Sequence, residues 1–546
     1  MKRRYRPRIV TLFIMVFRSL STVTLLSLLS LPGLTSASVA YCNNQDYESG
    51  ALGQAPYQTY YAAPYKPVQL NYALPPADCP SNSQVSGYFM FSPLGSDLEM
   101  TGGGYIMNPN GTMVYFSSGF GSTVILRGVF TYEGEDHLGI WVADGSDAVP
   151  AGHGSGWNIL LDRSYNVVAK ITTSGLTVGA DLHELHITTN NTAIITAFPT
   201  DETDLSAYGG SEIGYVLNPV AQEIDIATGE AIFTWKALDH VSPSECYAPL
   251  GIAATGYGIA TDPWDYFHMN SIEKNDDGTY LISSRHCHTL YLVNSDGDIL
   301  WRMGGKNSNF TMNEGANFTW QHHARLRGSG QLSLFDNGAT EWEQDIPYSQ
   351  GLLLDYDDSA MTVSLSSARA PYNRTNTVSQ GSVEFLSNGN SIVGWGAMPY
   401  ISEHDETGNI IWSTQFAVPN SGISSYRAFL KDWTGRPSIP PSMKVTSPFS
   451  NNVTVYAWWN GATEITSWEL YGSRLITPLK ATSLANASKT DFETALVYSG
   501  SEYTFYQVAA HNADGEILAY SNFTALDGTT FGPAENQTIT AAPLNS

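Results

Sequence analysis

Three histidines recur at one phase of an internal repeat in this 546-residue sequence. Each unit reads as a strand, a polar turn and a second strand. The copies are His183-Glu-Leu-His-Ile187 before Ala193–Phe198, His268-Met-Asn-Ser-Ile272 before Thr279–Arg285, and His322-His-Ala-Arg-Leu326 before Gln331–Phe335. A fourth copy, Ser379-Gln-Gly-Ser-Val383 before Asn390–Trp395, carries Ser at the histidine position. Imidazoles at equivalent positions of radially arranged repeats meet near the axis. Arg285 closes the second strand of the His268 unit and is followed by His286 and His288. A guanidinium beside imidazoles suits a tetrahedral oxyanion, because its planar fork donates two parallel bonds. Three imidazoles could also hold zinc or copper, but a neighbouring Arg285 repels a cation, so no metal is assigned. Trp264, Phe267 and Trp320 flank the histidines and could stack an aromatic ring, although sheet packing would also explain them. Asp336-Asn-Gly reads as a turn, His153 and His240 as loop residues, and His404 as a surface residue of an outer turn.

The elements that must position these groups are strands. Tyr, Trp, Gly, Asn, Ser and Thr abound, and no long helical periodicity follows residue 40. Several units continue into an outer hairpin that closes on a tryptophan: Asp225–Gly229 to Trp235, Asn294–Gly297 to Trp301, and Asp405–Gly408 to Trp412. A glycine turn between strands with a closing tryptophan is the pattern of four-stranded blades. The expected fold class is therefore all-β: a six-bladed β-propeller over 86–437, then a small C-terminal sandwich of fibronectin type III kind over 447–526. A Pro-rich joint is expected at 438–446, an extended Tyr/Pro-rich strap at 38–85, and a disordered tail at 527–546.

Residues 1–37 read as a signal peptide, with Lys2, Arg3, Arg4, Arg6 and Arg8 before an apolar run and small residues at Thr35-Ser36-Ala37. The alternative is an uncleaved anchor, for which Arg18 would have to lie inside the span; no later segment is apolar enough to cross a membrane. This segment holds six basic and no acidic groups, so the remainder carries 20 basic groups against 51 acidic, a charge near −31. Such a charge repels nucleic acid and anionic membranes, leaving anion binding to local cations. Secretion also accounts for the four cysteines, for which Cys42–Cys79 with Cys246–Cys287 is the simplest of three connectivities. It accounts too for nine glycosylation sequons at Asn110, Asn190, Asn309, Asn317, Asn373, Asn452, Asn486, Asn522 and Asn536.

At the histidine units the sequence resembles a known family. Trp264-Asp-Tyr-Phe-His268-Met-Asn-Ser-Ile, Ser284-Arg285-His286, Trp320-Gln-His322-His-Ala-Arg-Leu and Phe335-Asp-Asn-Gly look like the motifs of aryl-sulfate-dependent arylsulfotransferases. Gly152-His-Gly-Ser-Gly and Ile159-Leu-Leu-Asp-Arg-Ser-Tyr resemble its fungal secreted branch. The resemblance covers about residues 86–435 and implies a six-bladed propeller that moves a sulfuryl group between phenols through a sulfated histidine. It implies no cofactor and no nucleotide sulfate donor, with small phenols and aryl sulfates as partners. By motif, His322 matches the sulfated nucleophile, Arg285 the sulfate-binding arginine, and His268 and His183 the supporting histidines. His183 lies in Asp181-Leu-His-Glu-Leu, where bacterial members carry His-His-Asp. His268 is the expected bond donor to the bridging oxygen. The remaining alternatives are a non-catalytic secreted binding module, or a propeller recruited to another reaction on aromatic natural products.

Overall fold

The computed structural model describes residues 39–81, 85–121, 123–145, 152–328, 330–449, 452–476 and 481–532. The expected signal segment and the sequon at Asn536 lie outside them. The protein is all-β, with helix confined among the described residues to single turns such as Gln45–Glu48 and Ala237–His240. None of these helices is long and apolar enough to cross a membrane.

Six strands position the site, and each forms one edge of a different sheet: β1 (Val124–Tyr132), β2 (Leu185–Ile187), β3 (Met269–Lys274), β4 (His322–Leu326), β5 (Ser382–Phe385) and β6 (Ser424–Lys431). In chain order each meets its neighbour's sheet, and β6 returns to meet β1, so the set closes on itself. Closure is made by distant sequence: β6 pairs antiparallel with Tyr88–Leu94, setting Phe429 opposite Met90 and Ala428 opposite Phe91. Pairing the two ends of a ring in one sheet leaves no free edge at the seam. Trp235, Trp301 and Trp412 all lie on outer strands, buried against the adjoining sheet or strap.

The strap adds to this body. Tyr41–Cys42 pairs in parallel with Asn71–Leu74, which extends the β5 sheet beyond Ile410–Gln415. Two disulfides, Cys42–Cys79 and Cys246–Cys287, are present, as suits an oxidising compartment. After β6 come two further sheets. Ser442–Phe449, Asn452–Trp458 and Glu493–Ser499 form one, and the other is centred on Ser467–Ser473 and Phe505–His511. Val453, Val455, Trp468, Leu470, Val508 and their neighbours form the core between them.

Two boundaries and one placement differ from expectation. Residues 442–446, assigned to the joint, already belong to the strand Ser442–Phe449, because alternating side chains follow the two prolines at once. Thr530–Phe531, assigned to the tail, pairs with Phe523–Ala525; residues 533–546 lie outside the described residues. His404 is buried on the strand Tyr400–His404, bonded to Ser402 Oγ and the Gly408 carbonyl. Among the sequons, Asn190, Asn309, Asn317, Asn373, Asn452 and Asn486 are exposed, while Asn110 and Asn522 are half-buried.

Candidate active site

The histidines that open β2, β3 and β4 meet in one cavity of about 610 Å³. Ring centroids of His183 and His268 are 4.9 Å apart, and those of His268 and His322 are 6.4 Å apart. Local backbone irregularity aims them. The β3 and β4 ladders slip register just after His268 and His322, and His268 itself has φ +52°. A bulge bends its strand and redirects side chains, and a left-handed non-glycine residue costs on the order of 1 kcal/mol.

Arg285 to His288 form the tight turn between Tyr280–Ser284 and Thr289–Val293. Backbone bonds from Arg285 to the His268 carbonyl and from His286 to the Phe267 carbonyl fasten it, as does the Cys246–Cys287 disulfide. Arg285 Nη1 donates to His286 Nε2 at 2.8 Å, and Nη2 donates to the Val378 carbonyl at 2.9 Å. Its buried Nε has no partner, so the group keeps a donor at the cavity wall. Trp320 and Trp342 stand about the guanidinium, its carbon 5.8 and 5.9 Å from their ring centroids.

Hydrogen bonds fix the protonation pattern. His322 Nδ1 donates to Asn337 Oδ1 at 2.7 Å, while its Nε2 accepts from the Gln380 backbone N–H at 3.2 Å. Burial, then the Arg285 charge, holds His322 well below the ordinary histidine value, so it is a neutral imidazole with its lone pair on Nε2. Gln380 presents that N–H from φ +64°, followed by Gly381 at φ +115°, where a side chain would collide with the Phe335 ring. His183 Nδ1 donates to Asp181 Oδ1 and His268 Nδ1 to Asp265 Oδ2, both at 2.5 Å. Burial lowers His183 and lowers His268 further.

His153, read from sequence as a loop residue, is the principal addition to the site. Its Nε2 lies 3.0 Å from Asp265 Oδ2, its Nδ1 lies 4.0 Å from Asp181 Oδ2, and Nδ1 has no hydrogen-bond partner among the described residues. Burial pulls its pKa down, but the Asp265 and Asp181 carboxylates outweigh burial and leave it above the ordinary value. It is thus the readiest of the cavity histidines to carry a proton. Asp181 and Asp265 precede His183 and His268 by two and three residues, a D-x-H and D-x-x-H signal present in the sequence. Asn337 was likewise visible as the residue after Asp336.

The aromatic residues expected to stack on a substrate are packed elsewhere. Phe267 sits against Trp235 and Tyr291, and Trp264 against Tyr208. Trp320 donates from its indole to Asp345 and backs His288. None of the three lines the cavity, whose apolar wall comes from Leu94, Ile125, Leu182, Ala253, Ala254 and Tyr426. Two groups, His153–Asp181–His183 and His153–Asp265–His268, bring potential cation ligands within 4.8 Å of one another. In both, the carboxylates already accept imidazole N–H bonds, and Arg285 lines the same cavity.

A family model described as arylsulfotransferase (ASST) matches residues 136–417. No curated protein matches the sequence. Similar solved structures include a protein of unknown function from Bacteroides caccae, 11% identical, with 63% of this chain and 98% of that one covered at a TM-score of 0.36. A protein from Lactobacillus plantarum is 10% identical, with 76% and 99% covered at 0.33. Virginiamycin B lyase from Staphylococcus aureus is 11% identical, with 64% and 99% covered at 0.26.

Proposed function

The chain belongs to the arylsulfotransferase (ASST) family, and on that premise we propose that it transfers a sulfuryl group from an aryl sulfate to a phenol through a sulfated His322. The observation that carries this reading is the neutral His322 imidazole, its Nδ1–H held by Asn337, in a buried cavity shared with Arg285. In the first half-reaction the Nε2 lone pair attacks sulfur and the sulfur–phenolate bond breaks, its electron pair leaving with the phenolate oxygen. The leaving oxygen is a tolerable one, because phenol ionises near pH 10. His153, whose charged form the Asp265 and Asp181 carboxylates favour against burial, supplies the proton from Nδ1; this role fits it better than His268, whose burial disfavours the charged form. The Gln380 N–H must leave Nε2 before its lone pair attacks; Arg285 then holds the non-bridging oxygens as charge redistributes, joined by that freed N–H. In the second half-reaction the acceptor phenol returns a proton to His153, attacks sulfur and frees Nε2. The balance needs no metal, nucleotide or redox partner.

The six closing sheets are read as blades of a propeller over 86–437, supported by their shared edge-strand order and the β6 seam. The two later sheets are read as a fibronectin type III-like sandwich. Secretion, N-glycosylation and membership of the fungal branch complete the assignment, on the leader, the sequons and the Gly152-His-Gly-Ser-Gly motif. The deciding experiment incubates purified protein with 4-nitrophenyl sulfate and a phenol, follows nitrophenolate release, and searches peptides for sulfated His322. Steady-state release that phenol does not accelerate, or full transfer by His322→Ala, refutes the mechanism.

A further inference from the structure

Because β1 to β6 open on the histidine cavity, the residues towards their far ends gather around a different space. There a second cavity, of about 230 Å³, is lined by Arg127, Arg325, Arg327, Arg427 and Lys431. Five of the chain's 26 basic residues thus share one small volume in a protein of net charge −25. Three carboxylates answer them. Glu184 is gripped by Arg325 at 2.8 Å and Arg427 at 2.9 Å, Glu384 pairs with Lys431, and Glu273 accepts the Leu326 N–H at 2.9 Å. His186 and His323, also at the wall, are held neutral by burial first and by the arginines second. Two positive charges remain in excess.

The excess is concentrated on groups without carboxylate partners. Among the described residues, Arg327 donates only to Ser333 Oγ and, at 3.4 Å, to the Val383 carbonyl. Arg127 is 5% exposed, yet among the described residues its Nε and Nη2 have no hydrogen-bond partner, and Arg427 Nε is also unmatched. A buried guanidinium with unmatched donors is costly unless an anion completes it. Tyr426 separates this cavity from the histidines. Its ring is 5.3 Å from that of His183 on one side, and 5.8 and 5.2 Å from the Arg127 and Arg427 guanidinium carbons on the other.

We propose that this second cavity binds a small tetrahedral dianion, sulfate or phosphate, at a site distinct from the histidine cavity. Its volume equals several waters at roughly 30 Å³ each, enough for such an ion and part of its hydration. Two surplus charges match a dianion, and the guanidinium fork matches its oxygens. The site does not depend on the transfer chemistry.

The test is calorimetric titration of the full chain with sodium sulfate, and separately with sodium phosphate, at ionic strength held by sodium chloride. Arg285→Gln serves as the background, so that the histidine cavity's own arginine is absent. Saturable one-to-one binding in the millimolar range or tighter, weakened at least tenfold by Arg127→Gln or by Arg327→Gln, is expected. Response to both salts identifies a general dianion site, and response to one alone identifies that ion. Should Arg127→Gln fail to fold, the half-buried Arg327→Gln decides. No saturable binding of either salt, or binding unchanged in the folded arginine variants, overturns the proposal.

Discussion

Asn337 sets the tautomer of His322. Its amide nitrogen donates to the carbonyls of Thr377 and Gln380, each at 3.0 Å, which turns its oxygen to the imidazole Nδ1 at 2.7 Å. The His322 proton must then sit on Nδ1, and the basic nitrogen is Nε2.

Replacing Asn337 by Ala should lower kcat by about 10²-fold, since the imidazole loses its orienting bond, an effect of the size seen for positioned acid–base groups. Asn337→Asp should do something different. A carboxylate beside Nδ1 favours the imidazolium, so the acid limb of kcat/KM should move to higher pH. A pH–rate profile unchanged in Asn337→Asp would exclude this role.

Arg285→Lys keeps a charge but loses the planar fork and its bond pattern to His286 and Val378. Turnover should fall by roughly 10²–10³-fold, the usual cost of a key oxyanion donor, measured as nitrophenolate release under saturating phenol.

A proton donor matters most when the leaving phenol is a poor one. His153→Gln should therefore slow transfer from unsubstituted phenyl sulfate far more than from 4-nitrophenyl sulfate. An equal loss on both donors would move the proton donor elsewhere, with His268 next in line.

Buried neutral histidines should make the fold acid-sensitive. Burial holds His286 and His404 down to about 4, whereas unfolded histidine titrates near 6.5. Between these values the unfolded chain binds more protons, so stability rises with pH. The contribution is complete above pH 6.5 and lost as pH falls through about 4. Melting temperatures should drop over that window, and His404→Gln, remote from the cavity, should reduce the total stability lost across it by on the order of 1–3 kcal/mol.

Chelation provides a separate check. The two His–Asp groups have their carboxylates engaged by imidazole N–H bonds, and Arg285 shares their cavity. Exhaustive treatment with EDTA should leave sulfuryl transfer unchanged. Activity lost on chelation and restored by zinc would make one of these groups a metal centre.

The strands, their turns and the phase of His183, His268 and His322 were legible in the sequence, because a repeated unit must place equivalent residues at equivalent radii and because glycine turns and closing tryptophans mark strand ends. Asp181 and Asp265 were equally visible, yet nothing in their spacing says which imidazole a carboxylate will face. Only the tertiary structure decided that His153 comes from a distant loop to share Asp265 with His268, and that Asn337 and Gln380 hold the two nitrogens of His322. It also turned Phe267 and Trp264 into packing between sheets, since an apolar ring beside a site is drawn to whichever side buries more of its surface. His404 went inward for a related reason: its ring packs toward Trp395, where Ser402 Oγ and the Gly408 carbonyl satisfy it. Periodicity along a chain determines what each repeat offers to the axis. Contacts between distant segments, set by closure of the ring, determine which of those offers become a site.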